Sequence, residues 1–132
     1  MRKILVTGSE GAVGKFIVKK IKENFPQDTI IRVGNFTKDY AQENSRYYSG
    51  NLLDMDFCEK LFSENAITHL IHCAAKWNGH NQDSSIFYNN VLIVNNILFS
   101  AKPKLKKIVF ISSSGVYGDG DFNESINIPF PK

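Results

Sequence analysis

With 132 residues, 42% of them apolar, the chain can bury one core but has no room for two domains, so a single unit is expected. Its formal charge of +3 comes from lysines spread along the sequence without interleaved aromatics, which argues against a nucleic-acid partner. The longest apolar stretch, 91–99, is broken by Asn95 and Asn96 and is too short to span a bilayer. Cys58 and Cys73 give neither a metal-ligand spacing nor a disulfide framework, and no leader is evident. Metal and membrane are therefore not expected, and a reducing cytoplasm is.

In chain order, a strand over Lys3 to Thr7 passes directly into Gly8, Gly11 and Gly14 and then into a helix over Ala12 to Asn24. One glycine can make the tight turn, one can let a backbone approach phosphate oxygens, and one can let the helix pack closely on the strand. The free amides at the helix start favour an anion, so the stretch reads as a site for a dinucleotide pyrophosphate. Glycine turns also join strands to helices in proteins that bind nothing. A nucleotide-triphosphatase loop is excluded, since five residues separate Gly8 from Gly14 and Phe16 follows Lys15. The apolar positions Val13, Phe16, Ile17, Ile21 and Phe25 predict the buried stripe of this helix.

A strand over Thr29 to Val33 follows the break at Pro26, then a short strand over Arg46 to Ser49, a helix over Asp56 to Glu64 and a strand over Thr68 to Cys73. A helix over Ser84 to Ala101 and a strand over Lys107 to Ser112 complete the series, with Lys102, Lys104, Lys106 and Lys107 solvating the loop between them. The alternation predicts an α/β fold, a doubly wound parallel sheet of Rossmann-like type in the order 3-2-1-4-5. The last helix is apolar on two faces, one marked by Phe87, Val91, Val94 and Leu98 and the other by Tyr88, Leu92 and Phe99. One face can meet the sheet, and the other needs a further helix or a second subunit.

Ligands bind beyond the carboxyl ends of such strands. After strand two, the place of a ribose-binding acid falls on Gly34, followed by Asn35. Asn35 could bond ribose hydroxyls, while Arg32 or Lys38 could contact a 2'-phosphate, so NAD and NADP are not separable on these residues. Gly50, Asn51 and Leu52 follow strand three, and Ala74 and Ala75 follow strand four, where small side chains admit a cofactor. His72 reads as a hydrogen-bonded structural residue in preference to a catalyst, because no carboxylate or nucleophile stands near it in sequence. Ser112, Ser113 and Ser114 end strand five, either as a turn or as substrate-binding hydroxyls. No Gly-x-Ser-x-Gly elbow is present to suggest a serine hydrolase.

Taken together, the chain resembles the N-terminal part of an extended short-chain dehydrogenase/reductase of the NAD-dependent epimerase/dehydratase family. Thr7-Gly8-x-x-Gly11-x-x-Gly14 is similar to that family's cofactor fingerprint, Ile71-His72-Cys73-Ala74-Ala75 to its strand-four motif, and Asn90-Val91 with Asn96 to its following helix. The most specific resemblance is Ser112-Ser113-Ser114-Gly115-Val116-Tyr117-Gly118, which puts Ser113 in the place of the catalytic Ser or Thr, with Glu124 similar to the acid that follows. The resemblance implies NAD(P), with NAD favoured, a nucleotide-sugar substrate, and hydride transfer at a sugar carbon. It implies that Gly8, Gly11 and Gly14 hold pyrophosphate, that Asn51 and Leu52 border adenine, that Ala74 and Ala75 line the cofactor, and that Ser113 bonds the reacting oxygen.

Three residues depart from the pattern: Gly34 replaces the ribose-binding acid, Asn51 replaces an adenine-contacting Asp, and Glu10, which can turn to solvent, adds a charge beside the phosphate turn. The family's Tyr-x-x-x-Lys is also missing, since none of Tyr40, Tyr47, Tyr48, Tyr88 and Tyr117 has a lysine four residues later. Residues 1–132 are therefore expected to form an incomplete cofactor-binding domain, truncated before the later strands and without the nucleotide-sugar domain, inactive alone. The helix over 84–101 is the expected surface of a homodimer in the complete protein. The competing expectations are a dinucleotide-binding sensor or scaffold that catalyses nothing, and a decayed gene fragment.

Overall fold

The computed structural model describes residues 1–35, 44–77 and 83–113. The strands are β1 (Lys3–Thr7), β2 (Thr29–Gly34), β3 (Ser45–Ser49), β4 (His69–His72) and β5 (Lys107–Phe110). The helices are α1 (Ala12–Asn24), α2 (Met55–Asn65) and α3 (Ser84–Ala101). The five strands form one sheet in the order β3-β2-β1-β4-β5, and every pairing is parallel, as expected for the doubly wound fold. β1 sits at the centre, with Leu5 opposite Ile31 on one side and Leu70 on the other.

Successive strand residues point to opposite faces, and the two cores follow that alternation. Leu5, Ile31, Val33 and Leu70 pack with Leu61 and Phe62 of α2 and Ile93 and Ile97 of α3. Ile4, Val6 and Ile30 pack with Val18 and Ile21 of α1. One face of the sheet thus carries two helices and the other carries α1.

The expected stripe of α1 holds at Ile17 and Ile21 and fails elsewhere, and the expected faces of α3 need correction. On α1 the buried residues are Gly14, Val18 and Ile21, while Val13, Phe16 and Phe25 are exposed. On α3 the buried residues are Ile93, Asn96, Ile97, Ser100 and Ala101, and Phe87, Tyr88, Val91, Leu98 and Phe99 are exposed. Both faces read as apolar in α3 are therefore largely outside the core, and its packing stripe includes polar residues that hydrogen bonds make compatible with burial. Asn96 donates to the carbonyls of Leu52 and Leu53 at 3.1 and 3.0 Å, which offsets the cost of removing its amide from water. β5 ends at Phe110, two residues earlier than expected, although Ile111 still donates its N–H to His72 O at 3.1 Å.

α2 and α3 begin with side-chain caps. Asp54 accepts from the amides of Asp56 and Phe57, and Asp83 accepts from that of Ser85 at 2.9 Å. The N-terminus of α1 is Gly11, with no side-chain cap and no acid in the first turn. A glycine there leaves orphan amides for another acceptor.

Near the amino ends of the strands, Arg2 donates to both carboxylate oxygens of Asp28, at 2.8 Å from its backbone and 2.7 Å from Nε. Burial opposes ionisation of Asp28, but the hydrogen bonds and charge of Arg2 outweigh it and hold the carboxyl below its ordinary pKa. This pair ties the chain's start to the turn before β2.

Candidate functional site: a glycine cleft at the carboxyl ends of the strands

β1 delivers the chain to Gly8, whose φ of +63° is left-handed. A Cβ there would sit 2.8 Å from the Ala74 nitrogen, so both conformation and space require glycine. A Cβ on Gly14 would run into the Gly8 carbonyl, so this residue sets how closely α1 lies on the loop. Gly11 differs from both. Its added Cβ would meet only the Gly8 oxygen, at 3.4 Å, and otherwise open space. The fold tolerates a side chain at Gly11 better than at its neighbours, so the bare backbone there is suited to something outside the protein.

Seven of the sequence-selected residues meet in one cleft of about 290 Å³: Gly8, Gly11, Asn35, Asn51, Leu52, Ala74 and Ala75. Gly14 lies behind the loop and shapes it from there. The sequence does not single out Lys76 or Ile93, although both line the cleft, as does Cys73. Cys73 follows β4 directly, and its thiol is pushed above the ordinary pKa by burial. Asn51 Oδ1 accepts from Leu53 N at 3.0 Å, which fixes the turn after β3 and leaves a second lone pair on that oxygen.

His72 is structural in the way expected. Thr7 Oγ1 accepts the amides of Cys73 and Ala74 at 3.2 and 3.3 Å, so its own proton is directed to His72 Nδ1, 2.8 Å away. That network assigns the remaining ring proton to Nε2. Burial lowers the His72 pKa, and its ring stacks on Phe110 at 5.3 Å. Together these contacts seat the strand-four loop against Gly8. α3 holds the walls from behind: Asn90 accepts from Lys76 N at 2.7 Å and donates to Lys76 O at 2.9 Å, while Asn96 holds the Leu52 and Leu53 carbonyls.

Glu10 does not turn to solvent, contrary to expectation. Its Oε1 accepts from Arg32 Nη1 at 3.4 Å and from Ser9 Oγ at 3.3 Å, and the Glu10 and Arg32 side chains are 9% and 3% exposed. Arg32 also donates from Nε to Ser45 Oγ at 3.2 Å and lies over the Tyr47 ring at 5.2 Å. Its engagement there opposes the expected contact with a 2'-phosphate. The missed signal is Arg32 itself: a cation among Ile30, Ile31 and Val33 of a central strand demands a buried partner. A larger cleft, about 610 Å³, lies along α1 beside Lys15, Lys19 and Lys22 and shares only Glu10 with the first.

Ser113 is exposed, three residues past the end of β5, and is not among the residues lining the cleft. Since His72 pairs with Phe110, Ser113 and Ala75 follow their strands by the same count. Lys38, Tyr40 and Ser114 through Lys132, including Tyr117 and Glu124, lie outside the described residues.

The parallel order, the glycine turn at the end of the central strand and the cleft beyond the strand ends define a Rossmann-type α/β domain. A model of the NAD dependent epimerase/dehydratase family matches residues 4–131, and the chain belongs to that family. A dTDP-D-glucose 4,6-dehydratase of Dictyostelium discoideum is 31% identical over 96% of this chain and 34% of its own length. A putative UDP-glucose 4-epimerase of Methanocaldococcus jannaschii is 36% identical over 90% of this chain and 41% of its own. The crystal structure of a Thermus thermophilus UDP-glucose 4-epimerase in complex with NAD superposes with a TM-score of 0.84 at 26% identity, covering 98% of this chain and 45% of that one. The chain thus spans less than half the length of each of these relatives. No helix among the described residues is long and apolar enough to cross a membrane.

Proposed function

We propose that this chain is the cofactor-binding N-terminal part of a nucleotide-sugar epimerase, dehydratase or reductase, and that its dinucleotide is NAD(P), with NAD favoured. The observation that carries the reading is the convergence of the glycine loop with the loops after β2, β3 and β4 on one cleft, at a helix N-terminus that no side chain caps. The relatives, which include an NAD complex and nucleotide-sugar epimerases, support the cofactor and substrate class.

Gly8 and Gly14 shape the loop, and the first-turn amides of α1 beside Gly11 bind the pyrophosphate by hydrogen bonding and dipole. Asn35 bonds ribose hydroxyls, Asn51 and Leu52 border adenine, and Ala74 and Ala75 leave room along the rest of the dinucleotide. When bound, the nicotinamide supplies a hydride acceptor or donor for a sugar carbon. Ser113 holds the reacting oxygen by hydrogen bonding. The proton on that oxygen needs an acid/base, and no Tyr-x-x-x-Lys occurs in these 132 residues, so they are proposed to bind without turning over. A reducing, cytoplasmic setting agrees with the free thiols of Cys58 and Cys73. The exposed Phe87, Val91 and Leu98 of α3 suit a second copy in the whole protein.

Titration of the 132-residue chain with NADH, followed by cofactor fluorescence, tests the binding role. Saturable binding at micromolar concentration is expected, and a folded chain that binds neither NADH nor NADPH removes the reading. In a longer chain with activity, Ser113→Ala is expected to lower turnover sharply with little change in cofactor affinity. Unchanged turnover would deny Ser113 its role.

A further inference from the structure

Dinucleotide-binding sheets of this type commonly place an acid at the end of strand two, about twenty residues after the glycines, to accept from the adenosine ribose hydroxyls. Here that position is Gly34, which has no side chain. Its missing side chain has a neighbour: a Cβ built on Gly34 would lie 3.1 Å from Glu10 Cγ and 2.9 Å from the Tyr47 hydroxyl. The side chain of Glu10 therefore lies beside the place where an acid at position 34 would begin. The substitution of glycine at 34 and of an acid within the glycine loop are one arrangement in space.

We propose that Glu10 replaces the missing strand-two acid, accepting hydrogen bonds from the adenosine ribose and selecting NAD against NADP. The inference rests on the dinucleotide reading above. Glu10 and Gly34 line the same cleft, together with Asn35. Glu10 Oε1 is taken by Arg32 and Ser9, and Oε2 accepts no hydrogen bond among the described residues although the side chain is only 9% exposed. A carboxylate oxygen in that state, on a side chain that lines the cleft, suits a ligand hydroxyl as donor. Arg32 fixes the carboxylate from behind and is itself engaged with Ser45 and Tyr47. A 2'-phosphate entering beside Glu10 would meet Oε2, an acceptor that cannot donate to it, on a carboxylate that already holds Arg32 through Oε1. The lysines of α1 lie along the larger cleft on another side of Glu10, and none of Lys15, Lys19 and Lys22 lines this one.

The loop is rigid enough for this role. Ser9 donates its backbone N–H to Val33 O at 3.2 Å, tying the residue before Glu10 to the residue before Gly34. Gly34 O accepts from Gly50 N at 3.1 Å, which fixes the strand end itself. Glu10 is a binding and specificity residue in this scheme, with no part in hydride or proton transfer.

The test is a pair of titrations, NADH and NADPH, on the 132-residue chain, on Glu10→Gln and on Glu10→Gln with Gly34→Asp, with circular dichroism reporting the fold. Gln keeps an acceptor for Arg32, and the Tyr47 hydroxyl that an Asp at 34 would crowd is the far end of a side chain. The unsubstituted chain is expected to prefer NADH by at least about tenfold. Glu10→Gln should lose most of that preference, and adding Gly34→Asp should restore it. A chain that binds NADPH as tightly as NADH overturns the proposal without any variant. So does a folded Glu10→Gln that keeps the full preference, and either result leaves the dinucleotide site standing. Binding of neither nucleotide overturns the site and the role of Glu10 together.

Discussion

The N-termini of α1 and α2 solve the same problem in opposite ways. α2 begins at Asp54, whose carboxylate takes the amides of Asp56 and Phe57, so the protein satisfies that helix from within. α1 begins at Gly11, offers no side-chain acceptor and opens on the cleft. The first arrangement serves folding. The second leaves donor capacity for a ligand, and the difference separates a structural helix start from a functional one.

The largest expected effect tests the packing beneath the open end. Gly14→Ala drives a methyl into the Gly8 carbonyl and should destabilise the fold by about 3 kcal/mol, seen as a fall in the urea midpoint. Loss below about 1 kcal/mol would mean the loop can move away from α1. Next, Gly11→Ala should cost less than about 1 kcal/mol in stability. It should nevertheless weaken NADH binding at least about tenfold, close to 1.4 kcal/mol. Equal loss of stability in the two alanine variants would erase the proposed division of labour. At the capped end, Asp54→Ala should lower stability by about 1 kcal/mol in urea unfolding while leaving NADH affinity within about twofold.

The smallest effect concerns α3, capped by Asp83. Hydrogen bonds from the Ser85 side chain and backbone hold that carboxyl below its ordinary pKa. Because the folded value is depressed, the cap's contribution is present above the unfolded value near 3.8 and is lost as the pH falls through the folded one. The Ser85 amide resonance should follow this titration in an NMR series, and Asp83→Asn should remove the step. The glycine start of α1 has no side chain that could produce one.

The strand order was legible because apolar runs, glycine turns and helical spacings alternate cleanly along the chain. The cleft was legible for a related reason: once the sheet is parallel, residues after the strands must converge, and Asn35, Asn51 and Ala74 do. The helix faces were not. In α1, Val13 and Phe16 share the apolar period but fall on the outer side of a helix whose angle is set by Gly14 against Gly8. In α3, the packing stripe contains Asn96 and Ser100, so an apolar count selects the wrong faces. The place of Glu10 was hidden because its partner is 22 residues away. A buried Arg32 pointed to some acid without saying which one.

β1 is flanked by β2 and β4 on its two sides, and Leu5 and Val6 are fully enclosed. Their amides should be the last to exchange with deuterated solvent, whereas those of β3 and β5, at the two edges, should exchange early. The turn at Gly8 grows from the strand that opens last. Fluctuations that release an edge can therefore leave the glycine loop in its folded shape, and the ordering of that loop is completed before a nucleotide arrives.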